Sequence, residues 1–303
     1  MDRIGNQVAG YHKGWHALHG CLKWEMAMVM RFLVVLVAVW LAFSAQFARP
    51  QEPAEPGFDH EHKQWTRVLE ANLRADRVDY AALAQNRGLL DQYLASLSSL
   101  DSAEFAKWTR DERFAFWINV YNAFTLQAVL ANYPFQDFDS LRDVGGVQSG
   151  KAWKERKLSL GRLIEGHPEA LISLDELRSD VLRSQFKDAR VHAALCTSCL
   201  GSPALRAAAF SAVGLDKQLD AAARAWLGDP LRNRFSKERK LVEASTVFDD
   251  FRGDFVRDSS SVEAWIARFA PPEERAWIEQ VERLERATLA FDWKLNDVPH
   301  DAR

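Results

Sequence analysis

The sequence predicts a mostly helical α+β domain built around a small β-sheet, and three observations lead there. Apolar residues recur at helical spacing through most of the chain after residue 57. Two short segments, 157–164 (KLSLGRLI) and 190–196 (RVHAALC), read instead as strands. No repeat or linker divides residues 58–303, so these elements are expected to share one core.

The elements follow in order. Trp65, Val68, Leu69 and Leu73 share one helical face, as do Leu89, Leu90, Tyr93, Leu94 and Leu97. The longest helix is expected over residues 111–132, because Pro134 cannot continue it. Its Phe114, Trp117, Ile118, Tyr121 and Val129 form one stripe, while Phe116, Val120, Phe124, Leu126 and Leu130 cover the other sides. A helix that is apolar all round is a buried helix. Residues 137–170 look irregular, with Gly145, Gly146, Gly150 and a turn at Gly166-His167-Pro168. Ser173 and Glu176 have the capping-box spacing and open a short helix reaching Arg183. Ser202-Pro203 carries the N-cap and first-turn proline of another. Leu215, Leu219, Ala222 and Trp226 mark the next helix, and Val262, Trp265, Ile266 and Phe269 one that Pro271-Pro272 ends. A last helix is expected over residues 272–289.

Residues 1–48 read as a targeting segment rather than as fold. Residues 32–45 (FLVVLVAVWLAFSA) are apolar and directly follow Arg31. A run of about 14 residues suits a signal peptide and falls short of the ~20 that a comfortable membrane span needs. Ala42-Phe43-Ser44 has the small-x-small form of a cleavage site, and a retained anchor is the competing reading. Met26, Met28 and Met30 suggest that the first 25 or so residues are a misplaced start. Residues 49–57, which include QEPAEPG, form a linker to the domain at 58–303. Either reading of the leader places that domain outside the cytoplasm, in the periplasm or cell envelope, touching membrane only through an uncleaved leader.

Composition narrows the function classes. Of 303 residues 48% are hydrophobic, enough for a sizeable core. The net charge of −3 gives no pull towards nucleic acid, and three cysteines cannot staple a small scaffold. No P-loop, dinucleotide fingerprint, zincin motif or nucleophile elbow is present, so no cofactor and no metal site are expected.

Two groups of residues could carry chemistry. Asn119 and Asn122 lie three apart on one side of the buried helix, and each buried amide needs a defined partner. They either clamp neighbouring backbone or face a cleft and orient a ligand, with Trp117 and Tyr121 as neighbouring binding candidates. The second group is His192, Cys196, Cys199 and Ser202. On a continuous strand His192 and Cys196 would lie about 13 Å apart at ~3.3 Å per residue, so a thiol–imidazole pair would have to use Cys199 after a turn, or another histidine. Cys196-x-x-Cys199 is open to three readings: a disulfide, two free thiols, or zinc ligands together with His192. Asp249, Asp250 and Asp254 near Arg252 read as a solvated helix face, and His60 and His62 as exposed.

A family resemblance rests on several of these residues. Phe116-Trp117-Ile118-Asn119-Val120-Tyr121-Asn122-Ala123 resembles the FWINxYNA signature of the family called domain of unknown function 547. Ser173-Leu174-Asp175 with Leu182-Arg183, Arg190-Val191-His192, the block from Phe248 to Phe255, and Phe291-Asp292-Trp293-Lys294-Leu295-Asn296 resemble further segments of that family, in order, over residues 60–297. The resemblance implies a single domain of exported bacterial proteins without a settled activity, with room for a cysteine-protease- or transglutaminase-like core. It also marks departures. Thr197 and Ser202 stand where the family has cysteines, and Arg178 and Ser179 where it has a glutamate and a histidine. The leading expectation is therefore a binding, scaffold or degenerate member acting on an unidentified envelope partner. A hydrolase or acyl transferase is the alternative, with Cys199 or Ser202 as nucleophile, His192 as base and Asn119 or Asn122 orienting. A thiol-redox role for Cys196 and Cys199 comes third.

Overall fold

The computed structural model describes residues 57–134, 151–167 and 169–299. The expected leader, the linker through residue 56, the glycines at 145, 146 and 150, and Pro168 lie outside the described residues.

The chain opens with α1 (Lys63–Asn72), the short antiparallel pair β1 (Leu73–Arg74) and β2 (Arg77–Val78), and α2 (Tyr80–Gln85). Next come α3 (Gly88–Ser99), α4 (Ser102–Phe105) and the long α5 (Arg110–Leu130). A capping box starts α5: the Glu112 amide donates to the Thr109 hydroxyl, and the Thr109 amide donates to the Glu112 carboxylate. From Phe114 to Leu126 every residue of α5 is buried, as its all-round apolar sequence requires. Trp65 of α1 stacks on Tyr93 of α3, with ring centroids 5.5 Å apart. Phe58, Phe105, Trp108, Phe116 and Trp117 close an aromatic cluster at the N-terminal half of α5.

After α6 (Lys151–Lys154) the chain reaches α7 (Leu174–Glu176), which runs without a break through a π-helical turn, Leu177–Arg183, into α8 (Ser184–Phe186). Ser173 caps this helix with Glu176, as the sequence spacing predicts. The short α9 (Val191–Ala194) and α10 (Leu215–Leu227) follow. Strands β3 (Arg234–Ser236) and β4 (Leu241–Ser245) pair antiparallel. Helices α11 (Val247–Asp250), α12 (Arg252–Ser259), α13 (Val262–Phe269) and α14 (Pro272–Ile278) then lead to β5 (Glu285–Leu289), which pairs parallel to β4. The molecule is thus a mostly helical α+β domain with a three-stranded sheet in the order β3-β4-β5. Among the described residues no helix is long and apolar enough to cross a membrane.

Four expectations need correction. Residues 190–196 are not a strand but contain the helical turn α9, closed by the Leu195 amide on the Val191 carbonyl at 3.1 Å. All of 191–196 is buried, so the alternation that suggests a half-exposed strand reports no solvent face. Arg190 also pins the turn, reaching Asp188 and Asp220 at 2.6 Å and Asp216 at 2.8 Å. Residues 157–164 keep only an isolated bridge from Leu158 to Ile172. Ser202-Pro203 opens no helix, because its hydroxyl bonds the Cys199 carbonyl at 2.8 Å instead of capping downstream amides. The last predicted helix stops at Ile278, and its second half is β5, where pairing with the main chain of β4 overrides the helix-forming ERATL composition.

Candidate functional site

The site is assembled from α5, the π turn, α9 with the loop after it, α12 and the C-terminal segment. Both asparagines of α5 grip backbone. Asn119 donates to the Phe210 carbonyl at 2.7 Å and accepts from the Phe210 amide at 3.0 Å. Asn122 donates to the Ala194 carbonyl and accepts from the Cys196 amide, both at 2.9 Å. The two amides are spent on holding the chain around 194–196 and 210, and neither lines the cleft described below.

The 196–202 loop is held from its other side by the C-terminal segment. The Leu200 amide donates to the Lys294 carbonyl at 2.9 Å and the Gly201 amide to the Asp292 carbonyl at 2.8 Å. A Cβ at Gly201 would lie 2.7 Å from the Asp292 nitrogen, so only glycine permits this approach. Cys196 and Cys199 are both buried and unbridged. Around Cys196 Sγ stand the Ser198 amide at 3.3 Å, the Asn296 side chain at 3.6 Å and the Ser202 hydroxyl at 3.6 Å. Cys199 Sγ lies 3.6 Å from the Thr197 carbonyl. Burial, with Cys196 nearby, pushes the Cys199 thiol up to about 12, so it stays protonated near neutrality.

His192 has a different partner from those the sequence proposes. Its Nε2 lies 2.9 Å from Asp254 Oδ2, which also accepts from Arg183 Nε at 2.6 Å. Arg257 holds the other oxygen of Asp254 at 3.1 Å. Burial alone would raise the Asp254 carboxyl, but its bonds to His192 and Arg183 hold it well below the usual carboxylate range. Burial pushes the His192 imidazole down against the pull of Asp254, and Arg183 and Arg178 push the same way. His192 is therefore neutral, with the proton on Nε2 facing the carboxylate and a lone pair on Nδ1. Asp254 is consequently no solvated helix face: it is buried on α12, between Phe251 and Phe255, both of which pack on the imidazole. His62 is likewise not exposed but buried against Tyr93, with 2.8 Å between its Nδ1 and the phenol oxygen.

The π turn completes the arrangement. Its i→i+5 winding brings residues five apart to one side. Arg178 and Arg183 accordingly both lie over the Phe251 ring, at 5.4 and 4.5 Å from its centroid. The opposite partner of that ring is His192, stacked at 4.4 Å and 21°.

These groups face a cavity of about 380 Å³. Tyr121, Trp153, Phe251, Phe291 and Trp293 make its aromatic walls, and His192, Thr197, Cys199 and Ser202 line it too. Three of the lining residues bury a polar atom, Tyr121 Oη, Trp153 Nε1 and Thr197 Oγ1, without a hydrogen-bond partner among the described residues. Trp153 sits close enough to act on the Tyr121 phenol, yet neither atom meets hydrogen-bond geometry with the other. Trp117 lines a separate groove with Arg110, Arg113 and Arg162. The described residues contain no group of His, Cys, Asp and Glu arranged to hold a metal.

Residues 105–227 match the family model described as protein of unknown function, DUF547. Over that segment, well under half of the sequence, the chain is similar to the DUF547 family. No curated protein and no solved structure matches it. The DUF547 segment holds His192, Tyr121, Trp153 and the 196–202 loop, while Asp254, Phe251 and the C-terminal strap lie beyond it. Of the four chemistry-bearing positions at which the sequence departs from the family pattern, Arg178, Thr197 and Ser202 line the cavity. Sequence reasoning alone misses Asp254, Arg183 and Trp153. The available signal for the first is FRGDF, an aspartate framed by two phenylalanines one helical turn apart.

Proposed function

We propose that this protein binds a small organic ligand in the His192 cleft. One observation carries the reading: Tyr121 Oη and Trp153 Nε1 are buried on residues that line an aromatic-walled cavity and have no hydrogen-bond partner among the described residues. Leaving such a group unpaired costs about 1–3 kcal/mol, and a ligand that supplies an acceptor recovers it. The indole N–H can only donate, so the ligand presents at least one oxygen or nitrogen acceptor. His192 Nδ1 asks for a donor in return. The aromatic walls suit an apolar body, the usual make-up of a ligand cleft. The Cys199 thiol, protonated and turned to a carbonyl, favours binding over thiol chemistry.

A fragment panel read by thermal shift tests this. Fragments with a carbonyl or hydroxyl are expected to raise the Tm of the wild type, and the rise is expected to vanish in Trp153→Phe and Tyr121→Phe. Identical responses in all three proteins would overturn it. We further propose that the domain is exported, on the strength of the apolar run at 32–45 behind Arg31. Intact mass from the native host checks this: an N-terminus near residues 43–49 supports cleavage and export, and a full-length cytosolic form overturns it.

A further inference from the structure

We propose that the cleft hydrolyses uncharged carboxylic esters, with His192 Nδ1 as general base to a water molecule and without a covalent intermediate on the protein. The proposal rests on the cleft being a ligand site and adds a reaction to it.

Three features meet in one cavity. The first is a base of fixed tautomer. Asp254, tied by Arg183 and Arg257, occupies His192 Nε2, and Phe251 covers the imidazole face. No described group hydrogen-bonds Nδ1, and His192 lines the cavity. The second is a pair of buried donors, Trp153 Nε1 and Tyr121 Oη, on residues that line the same cavity and unpartnered among the described residues. Burial raises the phenol, so it keeps its proton. The third is distance: a cavity of this volume is only about 9 Å across if round, so one acyl group reaches both base and donors.

Two of the cleft's own nucleophiles are committed elsewhere, and the third, Thr197 Oγ1, has no base bonded to it among the described residues. Ser202 donates to the Cys199 carbonyl at 2.8 Å, and Cys199 Sγ turns to the Thr197 carbonyl. That leaves water. Its oxygen forms a bond to the ester carbon while Nδ1 takes one of its protons. The carbonyl pair moves onto oxygen, where the indole N–H and the phenol O–H receive the charge. Collapse breaks the bond to the alcohol oxygen, which takes the proton from His192. The products are a carboxylic acid and an alcohol, and the imidazole returns neutral. The charged groups around the base and its cavity are Asp254 and Arg257 on α12, Arg178 and Arg183 on the π turn, Asp175 on α7 paired to Arg178, and Asp250 at the end of α11.

The test uses the full chain and p-nitrophenyl acetate and butyrate. Saturable turnover is expected, falling by about 10²–10⁴ in His192→Gln and by ten-fold or more, on the order of a lost oxyanion donor, in Trp153→Phe. Intact mass of the quenched reaction is expected to show no acyl adduct. An adduct on Cys199 or Ser202 would overturn the water mechanism. Fragments that stabilise wild type and His192→Gln alike, without ester turnover, would overturn hydrolysis and leave the ligand cleft standing. No turnover and no stabilisation would overturn both.

Discussion

His62 is the residue on which stability depends most directly on pH. It sits at φ 50°, just before α1, with its ring against Phe58 and Phe116 and its Nδ1 on the Tyr93 phenol. Burial, opposed by Asp59, lowers its pKa to about 4. The folded state therefore binds fewer protons than the unfolded state between pH 6.5 and 4. Stability held above pH 6.5 drains away as pH falls through that window, by roughly 3 kcal/mol at the lower end. Urea unfolding at pH 7 and pH 4.5 is expected to show this loss, and His62→Gln is expected to flatten it. Buried neutral His192 adds to the slope with the same sign. Nothing local betrays the burial of His62, because it sits among charged residues and only the tertiary cluster covers it. The burial of Asn119 and Asn122 was legible, since no face of their helix is polar. Which backbone they hold depends on chain 72 and 91 residues away, beyond any local pattern.

Among the elements, the helices with one clean apolar stripe, α1, α10 and α13, and the all-round apolar α5 were readable to within a residue or two. Short elements escaped because their stability is not their own. The turn α9 is set by an arginine holding three aspartates, and β5 by a strand more than 40 residues earlier. The π turn has no sequence signature either, yet it decides that Arg178 and Arg183 share the Phe251 ring. Gly201 meets Asp292 too closely for any side chain, a Cβ there lying 2.7 Å from the Asp292 nitrogen. Gly201→Ala must push apart a pair of backbones that hydrogen-bond each other, and overpacking of this kind costs about 1–3 kcal/mol. The Tm is expected to fall accordingly, whereas Gly88→Ala, with open space around the added methyl, is expected to leave it near the wild-type value.

At the scale of the molecule, the site depends on the chain beyond the DUF547 match. Asp254 and the 291–298 segment come from the last quarter of the sequence. That segment crosses both the N-terminal hairpin and the thiol loop. The Val78 amide donates to the Asn296 carbonyl at 2.9 Å, and the Val298 amide to the Val78 carbonyl at 3.0 Å. Tyr80 donates to the Asn296 side-chain oxygen at 3.0 Å, and that side chain reaches Cys196 Sγ. Removing residues 290–303 takes away this cover. Cys196 and Cys199 are then expected to react with a thiol reagent at least about ten-fold faster than in the intact chain, by local opening. An unchanged labelling rate would show that the strap does not guard them. The sequence does not show what the strap does, because it works largely through backbone pairing between segments far apart in the chain.

The strap also sets an order of events during synthesis. A growing chain exposes His192 and both thiols long before it has made Asp254, and residues 291–298 follow later still. Until then the imidazole lacks its carboxylate and the thiol loop lacks the edge that it pairs with. A chain stalled before residue 291 thus carries the DUF547-like segment without a finished cleft, and the site is complete only once residues 291–298 have been made.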